Sequence, residues 1–226
     1  MSVFYPKRSK FLLIGNTGSG KSALAMYFLR EALNTSRCLI IDSNFEIASL
    51  LGLRTAFYVH DWNFNNPCIV PNRMNAEELD LYIRYARRFK NFVLFIDDLD
   101  NFADQSGYAG RELPILMSNA RHQGIATIVC NKTPNMINSK VVTNASNLFM
   151  FALDARYLKL FDEWRPTLNF NDPDTGDPVP TTRLAQMPQY TFALFSPRDA
   201  QDPNATSPKR FEGYYRLPAE MAQKSA

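Results

Sequence analysis

Gly15, Gly20, Lys21 and Ser22 stand at the spacing G-x-x-x-x-G-K-S within "GNTGSGKS", residues 15–22. Glycines so spaced let successive backbone N–H groups turn inward around an anion, and a helix N-terminus behind them adds partial positive charge. Gly15, Asn16, Thr17, Gly18, Ser19 and Gly20 would line that cradle. Lys21 would reach the β- and γ-phosphates, and the Ser22 hydroxyl would ligate Mg²⁺. The bland alternative is a glycine-rich turn with an exposed lysine, which asks nothing of its flanks. The flanks are specific, however: "FLLI" (11–14) reads as a buried strand, and Ala25, Phe28, Leu29 and Ala32 recur at helical spacing. The pattern predicts a nucleoside triphosphate site, with ATP and Mg²⁺ as its ligands.

Hydrolysis needs an acid at the end of a neighbouring strand, and "FVLFIDDLD" (92–100) supplies one. Asp97 is placed to hold the metal through water, and Asp98 to orient or deprotonate the attacking water. Asp100 competes with Asp98 for that role, and any of these acids would also cap a following element. "IATIVCN" ends in Asn131, which would lie close to the γ-phosphate if its strand neighbours the first; a polar amide there can sense the phosphate. "NKTP" also resembles the guanine-reading N-K-x-D of GTPases. Pro134 occupies the aspartate position, and "DDLD" lacks the glycine of a GTPase switch, so a GTPase is kept only as a lesser alternative. Arg121, in "SNARHQG", is either a surface arginine favoured by a helix C-terminus or an arginine finger reaching the site of an adjacent subunit.

The elements that must position these residues alternate along the chain. "RCLIID" (37–42) reads as a strand ending in an acid, "FEIASLLG" as a short helix and "TAFYVH" as a further strand. "NAEELDLYIRYARRFK" carries helix start signals, with Asn75 as cap and Glu77 and Glu78 in the first turn. "GRELPILMSNARHQ" reads as a helix that tolerates Pro114 only near its start. "LFMFALD" is another strand and "ARYLKLFDEW" another helix. Uninterrupted apolar strands alternating with helices predict an α/β fold, a mostly parallel central sheet flanked by helices. Residues 1–164 form this core in the present reading. Residues 165–226 are Pro-, Asp- and Thr-rich and read as an extended C-terminal arm, with "YTFALF" and "GYYRL" as two late strands. The arm would pack on the core or on a neighbouring subunit.

Composition bounds the rest. The 226 residues are 46% hydrophobic, enough for a sizeable core. A formal charge of +3 permits nucleic-acid contact without requiring it. Cys38, Cys68 and Cys130 are odd in number and lack metal spacing, which reads as buried thiols in a reducing compartment. His60 and His122 are too few for a histidine-rich metal site. "MSVFYPKRSK" leads directly into the first strand without a signal peptide, and no apolar run is long enough to span a bilayer. A soluble, intracellular protein is expected. Arg84, Arg87 and Arg88 fall close together on the "IRYARRFK" helix, as a solvated basic face or as contacts to a phosphate backbone. "NFADQSGYAGR" after the acids reads as a mobile loop.

The phosphate loop, "LIID", the "FIDD" acids and "RHQGIATIVCN" together resemble the HerA/FtsK superfamily of P-loop motor ATPases. Within it the likeness is greatest to the genome-packaging ATPases of membrane-containing icosahedral viruses, over residues 11–154. By that resemblance Lys21 and Ser22 would bind phosphate and Mg²⁺, and Asp97 the metal. Asp98 stands where the family usually has glutamate, and Asn131 where it usually has glutamine; both are shorter by one methylene. Asp42 matches an acid ending the second strand in many relatives, with a structural role at the sheet edge as the other reading. The resemblance implies a homo-oligomeric ring, a hexamer or pentamer, with ATP between subunits and double-stranded DNA in the channel. It further implies a capsid or portal-vertex protein as partner, and action in the cytoplasm of an infected cell or at the virion. A Zot-like assembly or secretion factor and a P-loop kinase are the competing classes. A kinase would need a lid segment and an acceptor site, and neither is evident.

Overall fold

A computed structural model describes residues 9–103, 109–164, 168–196 and 209–223, with the side chains of Arg121, Ala222 and Gln223 excepted. Ten strands and eight helices follow one another: β1 (Lys10–Ile14), α1 (Lys21–Thr35), β2 (Cys38–Ile41), α2 (Glu46–Leu51), β3 (Thr55–Ala56), β4 (Cys68–Ile69), α3 (Ala76–Ala86), β5 (Phe92–Ile96), α4 (Glu112–Gln123), β6 (Ile125–Asn131), α5 (Ser139–Asn144), β7 (Asn147–Phe151), α6 (Leu158–Glu163), β8 (Leu168–Asn169), α7 (Thr182–Ala185), β9 (Thr191–Ser196), β10 (Lys209–Arg216) and α8 (Ala219–Gln223). Among the described residues no helix is long and apolar enough to cross a membrane.

The strands form one sheet in the order β3-β4-β2-β5-β6-β1-β7-β9-β10-β8. Every pairing from β3 across to β7 is parallel. β1, β2, β5 and β6 are buried along their whole length, which is why their sequences are mostly apolar, with Lys10, Thr127 and Asn131 as the buried polar exceptions. Alternate side chains supply two cores. Leu12, Ile14, Leu94 and Ile96 pack on the face carrying α3 and α4, while Phe11, Leu13, Val93 and Phe95 pack on the face carrying α1. Phe28 of α1 sits 4.9 Å from the ring of Phe11 and 5.3 Å from that of Phe149, which locks the helix onto β1 and β7. At the start of α3, the Asn75 side chain accepts the Glu78 N–H at 2.9 Å, the cap expected there.

Register brings the site together. Ile14 lies opposite Asn131, and Ile96 opposite Val129, so the segments after β1, β5 and β6 emerge side by side at one end of the sheet.

Several elements differ from the sequence reading. "TAFYVH" contributes only the two residues of β3, and β4, hidden in the Asn- and Pro-rich "NNPCIVPN", extends the sheet beside β2. Both are too short for a hydrophobic period to declare itself. Asp42 is not at an edge, because β2 lies between β4 and β5. The two late strands read in the C-terminal segment are present as β9 and β10, and they join the central sheet. β9 runs antiparallel to β7 with Met150 opposite Ala193, and β10 runs antiparallel to β9. Phe161, Phe170, Phe195 and Phe211 tie these pieces together, with ring centroids 4.8 Å apart for Phe170 and Phe211 and 5.6 Å apart for Phe195 and Phe211. Aromatic packing between distant short elements leaves no local periodicity to read.

Candidate functional site

The turn between β1 and α1 is shaped by its glycines. Gly20, just before α1, has φ +101°, a conformation that a side chain strains, and a Cβ there would also fall 2.6 Å from the Tyr190 ring. A Cβ on Gly15 would lie 2.4 Å from Cβ of Phe151, so β7 closes against the start of the turn. Asn131 O and Ala152 O accept the N–H groups of Gly15 and Asn16, fixing the turn to β6 and to the end of β7. Lys21 and Ser22 open α1, where N–H groups have no partner within the helix. Lys21 is buried and Ser22 exposed.

Asp98 meets Lys21, and segments after β2 and β6 converge on Asp98 in turn. Asp98 follows β5 with φ 43°, an uncommon backbone for a non-glycine residue and one that concentrates at functional sites. Its carboxylate is buried, with Oδ1 3.5 Å from Lys21 Nζ. On the other oxygen, Oδ2, Lys132 Nζ lies at 2.8 Å and the Asn44 amide donates at 3.0 Å. Burial alone would raise the Asp98 carboxyl, but Lys132, Lys21 and Asn44 hold it below the ordinary carboxylate value. Asp97 behaves oppositely. Burial first, then the adjacent Asp98 charge, push it up to about 7 against the opposing pull of Lys21, and Asp42 and Glu46 add to the rise.

Asp100 does something else. Oδ1 accepts from Thr133 N at 3.1 Å and from Thr133 Oγ1 at 2.5 Å, and Oδ2 accepts the Lys132 N–H. It staples the segment after β5 to the segment after β6. Asp42 is fully buried and accepts the N–H groups of Glu46 at 3.2 Å and Ala48 at 2.9 Å, holding the first turn of α2. Asn131 is fully buried at the end of β6, beside Ile14, and its amide donates to Thr133 O.

Triphosphate and metal fit these residues. Ser19 Oγ and Asn131 Oδ1 are buried polar atoms with no hydrogen-bond partner, a costly state that a bound ligand or water relieves. Burial first and the neighbouring Asp98 charge second disfavour an ionised Asp97, a cost that a cation bound to it would relieve. Among the described residues no group of three or more His, Cys, Asp and Glu is arranged to hold a metal. A cation here would rest on Ser22 and Asp97, with water and phosphate oxygens completing its shell.

Residues that the sequence reading singled out elsewhere are more dispersed. Arg87 is paired with Glu112 of α4 at 2.5 Å, and Arg88 stacks 5.3 Å over the Tyr85 ring; Arg84 is exposed. Two of the three arginines thus have a partner within the chain. The Arg121 side chain lies outside the described residues, and so do residues 104–108 of the loop after the acids. Three contacts were invisible in the sequence. Lys132 and Asn44 meet Asp98 as above. The third is the start of β9: Tyr190 N donates to Ser19 O at 2.8 Å and the Gln189 amide to Gly18 O at 2.8 Å.

Solved structures place this architecture. The genome-packaging NTPase B204 from Sulfolobus turreted icosahedral virus 2, in complex with AMPPCP, superposes with a TM-score of 0.66 at 15% identity, over 84% of this chain and 93% of B204. The fold is that of a P-loop nucleoside triphosphatase. B204 from Sulfolobus turreted icosahedral virus, a DNA-packaging ATPase, gives 0.62 at 18% identity over 85% of this chain and 94% of its own. The cytoplasmic domain of the type VII secretion ATPase EccC of Thermomonospora curvata gives 0.53 at 13% identity, over 93% of this chain and 24% of its own. No protein-family model and no curated protein matches the sequence. In this chain the C-terminal strands β9 and β10 belong to the same sheet as β1, β5 and β6.

Proposed function

We propose that the protein is a Mg²⁺-dependent ATPase that drives double-stranded DNA, packaging a viral genome into a preformed capsid. The observation that carries this reading is the meeting of Lys21, Asp98, Lys132 and Asn131 at the ends of β1, β5 and β6. Likeness to the B204 packaging ATPase over more than four-fifths of the chain supports the choice of motor.

In this mechanism residues 15–20 and the first turn of α1 bind the phosphates, and Lys21 leaves Asp98 for the β- and γ-oxygens. Ser22 and Asp97 would hold Mg²⁺, which would supply charge neutralisation at the phosphoryl group. Asp98 Oδ1, released from Lys21, orients the attacking water and takes its proton. Asn131 contacts the γ-phosphate region, and its backbone bond to Gly15 passes the loss of that phosphate to the turn. The remaining roles come from the resemblance: a hexameric or pentameric ring, Arg121 acting across the subunit boundary, duplex DNA in the channel, and a capsid or portal-vertex protein as docking partner. Such a motor acts in the cytoplasm of an infected cell or at the virion.

A second reading, a nucleotide-dependent secretion or assembly factor, is favoured by the likeness to EccC. ATPase rate with and without duplex DNA separates the two. A packaging motor is stimulated by DNA in a salt-sensitive manner, whereas a secretion factor is indifferent to it. Lys21→Ala is the control for the site: its turnover should fall by orders of magnitude with the fold intact. Turnover that survives Lys21→Ala defeats the ATPase assignment; absence of DNA stimulation at every salt concentration defeats the motor. Arg121→Ala and Lys21→Ala subunits, each inactive alone, should recover activity on mixing if the arginine acts in trans.

A further inference from the structure

The two oxygens of Asp98 have different kinds of partner. Oδ1 faces Lys21, a residue the nucleotide itself would engage. Oδ2 is held by Lys132 and Asn44, which lie beyond β6 and β2 and outside the phosphate turn. Nucleotide binding therefore frees one oxygen and leaves the other held. The holding groups are themselves fixed. Lys132 N–H bonds to Asp100, and the Asn101 amide donates to Ser43 Oγ at 3.0 Å and to Asn44 Oδ1 at 3.5 Å. A carboxylate one methylene shorter than glutamate, on a left-handed backbone, gains its direction from these contacts.

We propose that Lys132 and Asn44 form a clamp on Asp98 Oδ2, positioning residues that aim Oδ1 at the attacking water. This rests on Asp98 being the water-orienting acid of the ATPase read above. Neither residue touches the reacting atoms; each acts through Asp98. Lys132 has over a third of its side chain exposed, so its charge is available to the site without a large burial cost. It is chemically suited to this task because an ammonium and an amide on one oxygen fix both distance and angle, where one donor would leave the carboxylate free to rotate.

The test measures kcat, KM and equilibrium ATP affinity for the full chain, its Lys132→Met, Lys132→Arg and Asn44→Ala variants, and the same changes in an Asp98→Asn background. Lys132→Met and Asn44→Ala should each lower kcat by about 10-fold or more, with ATP affinity within roughly 3-fold of wild type. Lys132→Arg should restore most of the rate. In Asp98→Asn, adding Lys132→Met should change kcat by less than about 2-fold, because residues in one network are not additive. Lys132→Gln, with circular dichroism, guards against a folding defect in the methionine variant. Wild-type kcat in Lys132→Met overturns the clamp. So does a loss that appears in KM alone, which would place Lys132 on the phosphate instead, or a loss that multiplies with Asp98→Asn. A wild-type chain that binds ATP but never hydrolyses it overturns the ATPase reading, and the clamp falls with it; that outcome differs from all of the others.

Discussion

Asp98→Asn should do two opposite things: slow hydrolysis and tighten nucleotide binding. Without nucleotide, Lys21 Nζ rests 3.5 Å from Asp98 Oδ1 in a buried setting. At an effective dielectric of about 20, a pair at that distance is attracted by about 5 kcal/mol before desolvation and screening are counted. A triphosphate must draw Lys21 off this carboxylate and then sit near it. Both costs vanish when the carboxylate becomes an amide. Allowing for Lys132, which keeps part of the Asp98 charge neutralised, the gain is about 1–2 kcal/mol, or roughly 5–30-fold in Kd. The amide cannot accept a proton from water, so kcat falls by about 100-fold or more.

The same change leaves Lys21 short of a counter-charge. Asp97 remains close enough to share it, so the loss is held to about 2 kcal/mol, a fall in Tm of roughly 4–8 °C. The assay is equilibrium binding of a fluorescent ATP analogue in EDTA, alongside phosphate release with Mg²⁺ and a thermal melt. Slow hydrolysis with unchanged or weaker binding would refute the competition between Asp98 and phosphate for Lys21. If Asp100→Asn is instead the slow variant, the wrong carboxylate has been assigned. Since Asp100 accepts from Lys132 and Thr133, the expected effect of Asp100→Asn is on the placement of that segment and on stability.

Two other outcomes follow from different parts of the fold. Gly20→Ala should destabilise the chain by about 1–3 kcal/mol and weaken ATP binding, since φ +101° is strained for alanine and the new methyl meets Tyr190; chemical denaturation and nucleotide titration measure both, and Gly20→Ala with wild-type stability would show that the turn is free to move. The Lys209 ammonium, buried and close to Lys10, is pushed down to about 8 by burial first and by that neighbour second. Its folded value is below its unfolded value, so the stability it contributes is present above about pH 10.5 and lost as pH falls through 8. Stability should therefore gain about 3 kcal/mol between those limits from this group, and denaturant melts of Lys209→Met should lack that rise.

The phosphate turn was legible because its signal is local. Glycine spacing, a preceding apolar strand and a following helical period sit within one short stretch, and each constrains the others. That Asp97 and Asp98 follow a buried strand was legible from the apolar run that precedes them, and the structure brings Asp98 beside Lys21. Separating Asp98 from Asp100 was beyond sequence, because the deciding partners, Thr133 and Lys132, reach Asp100 only through the register of β5 against β6. Lys132 itself was read as part of a GTPase-like "NKTP" and not as a partner of Asp98, although the two meet at 2.8 Å. Arg87 shows the converse error: helical spacing grouped it with Arg84 and Arg88, yet Glu112 on another helix had already claimed it. Tyr190 is a further case. It sits at φ 62° without being glycine, and its N–H donates to Ser19 O of the turn from just before β9. A motif thus names the atoms proposed to meet the nucleotide. The atoms that aim them come from strand register and from backbone conformations that side-chain patterns do not encode, and those are the residues whose substitution should separate binding from turnover.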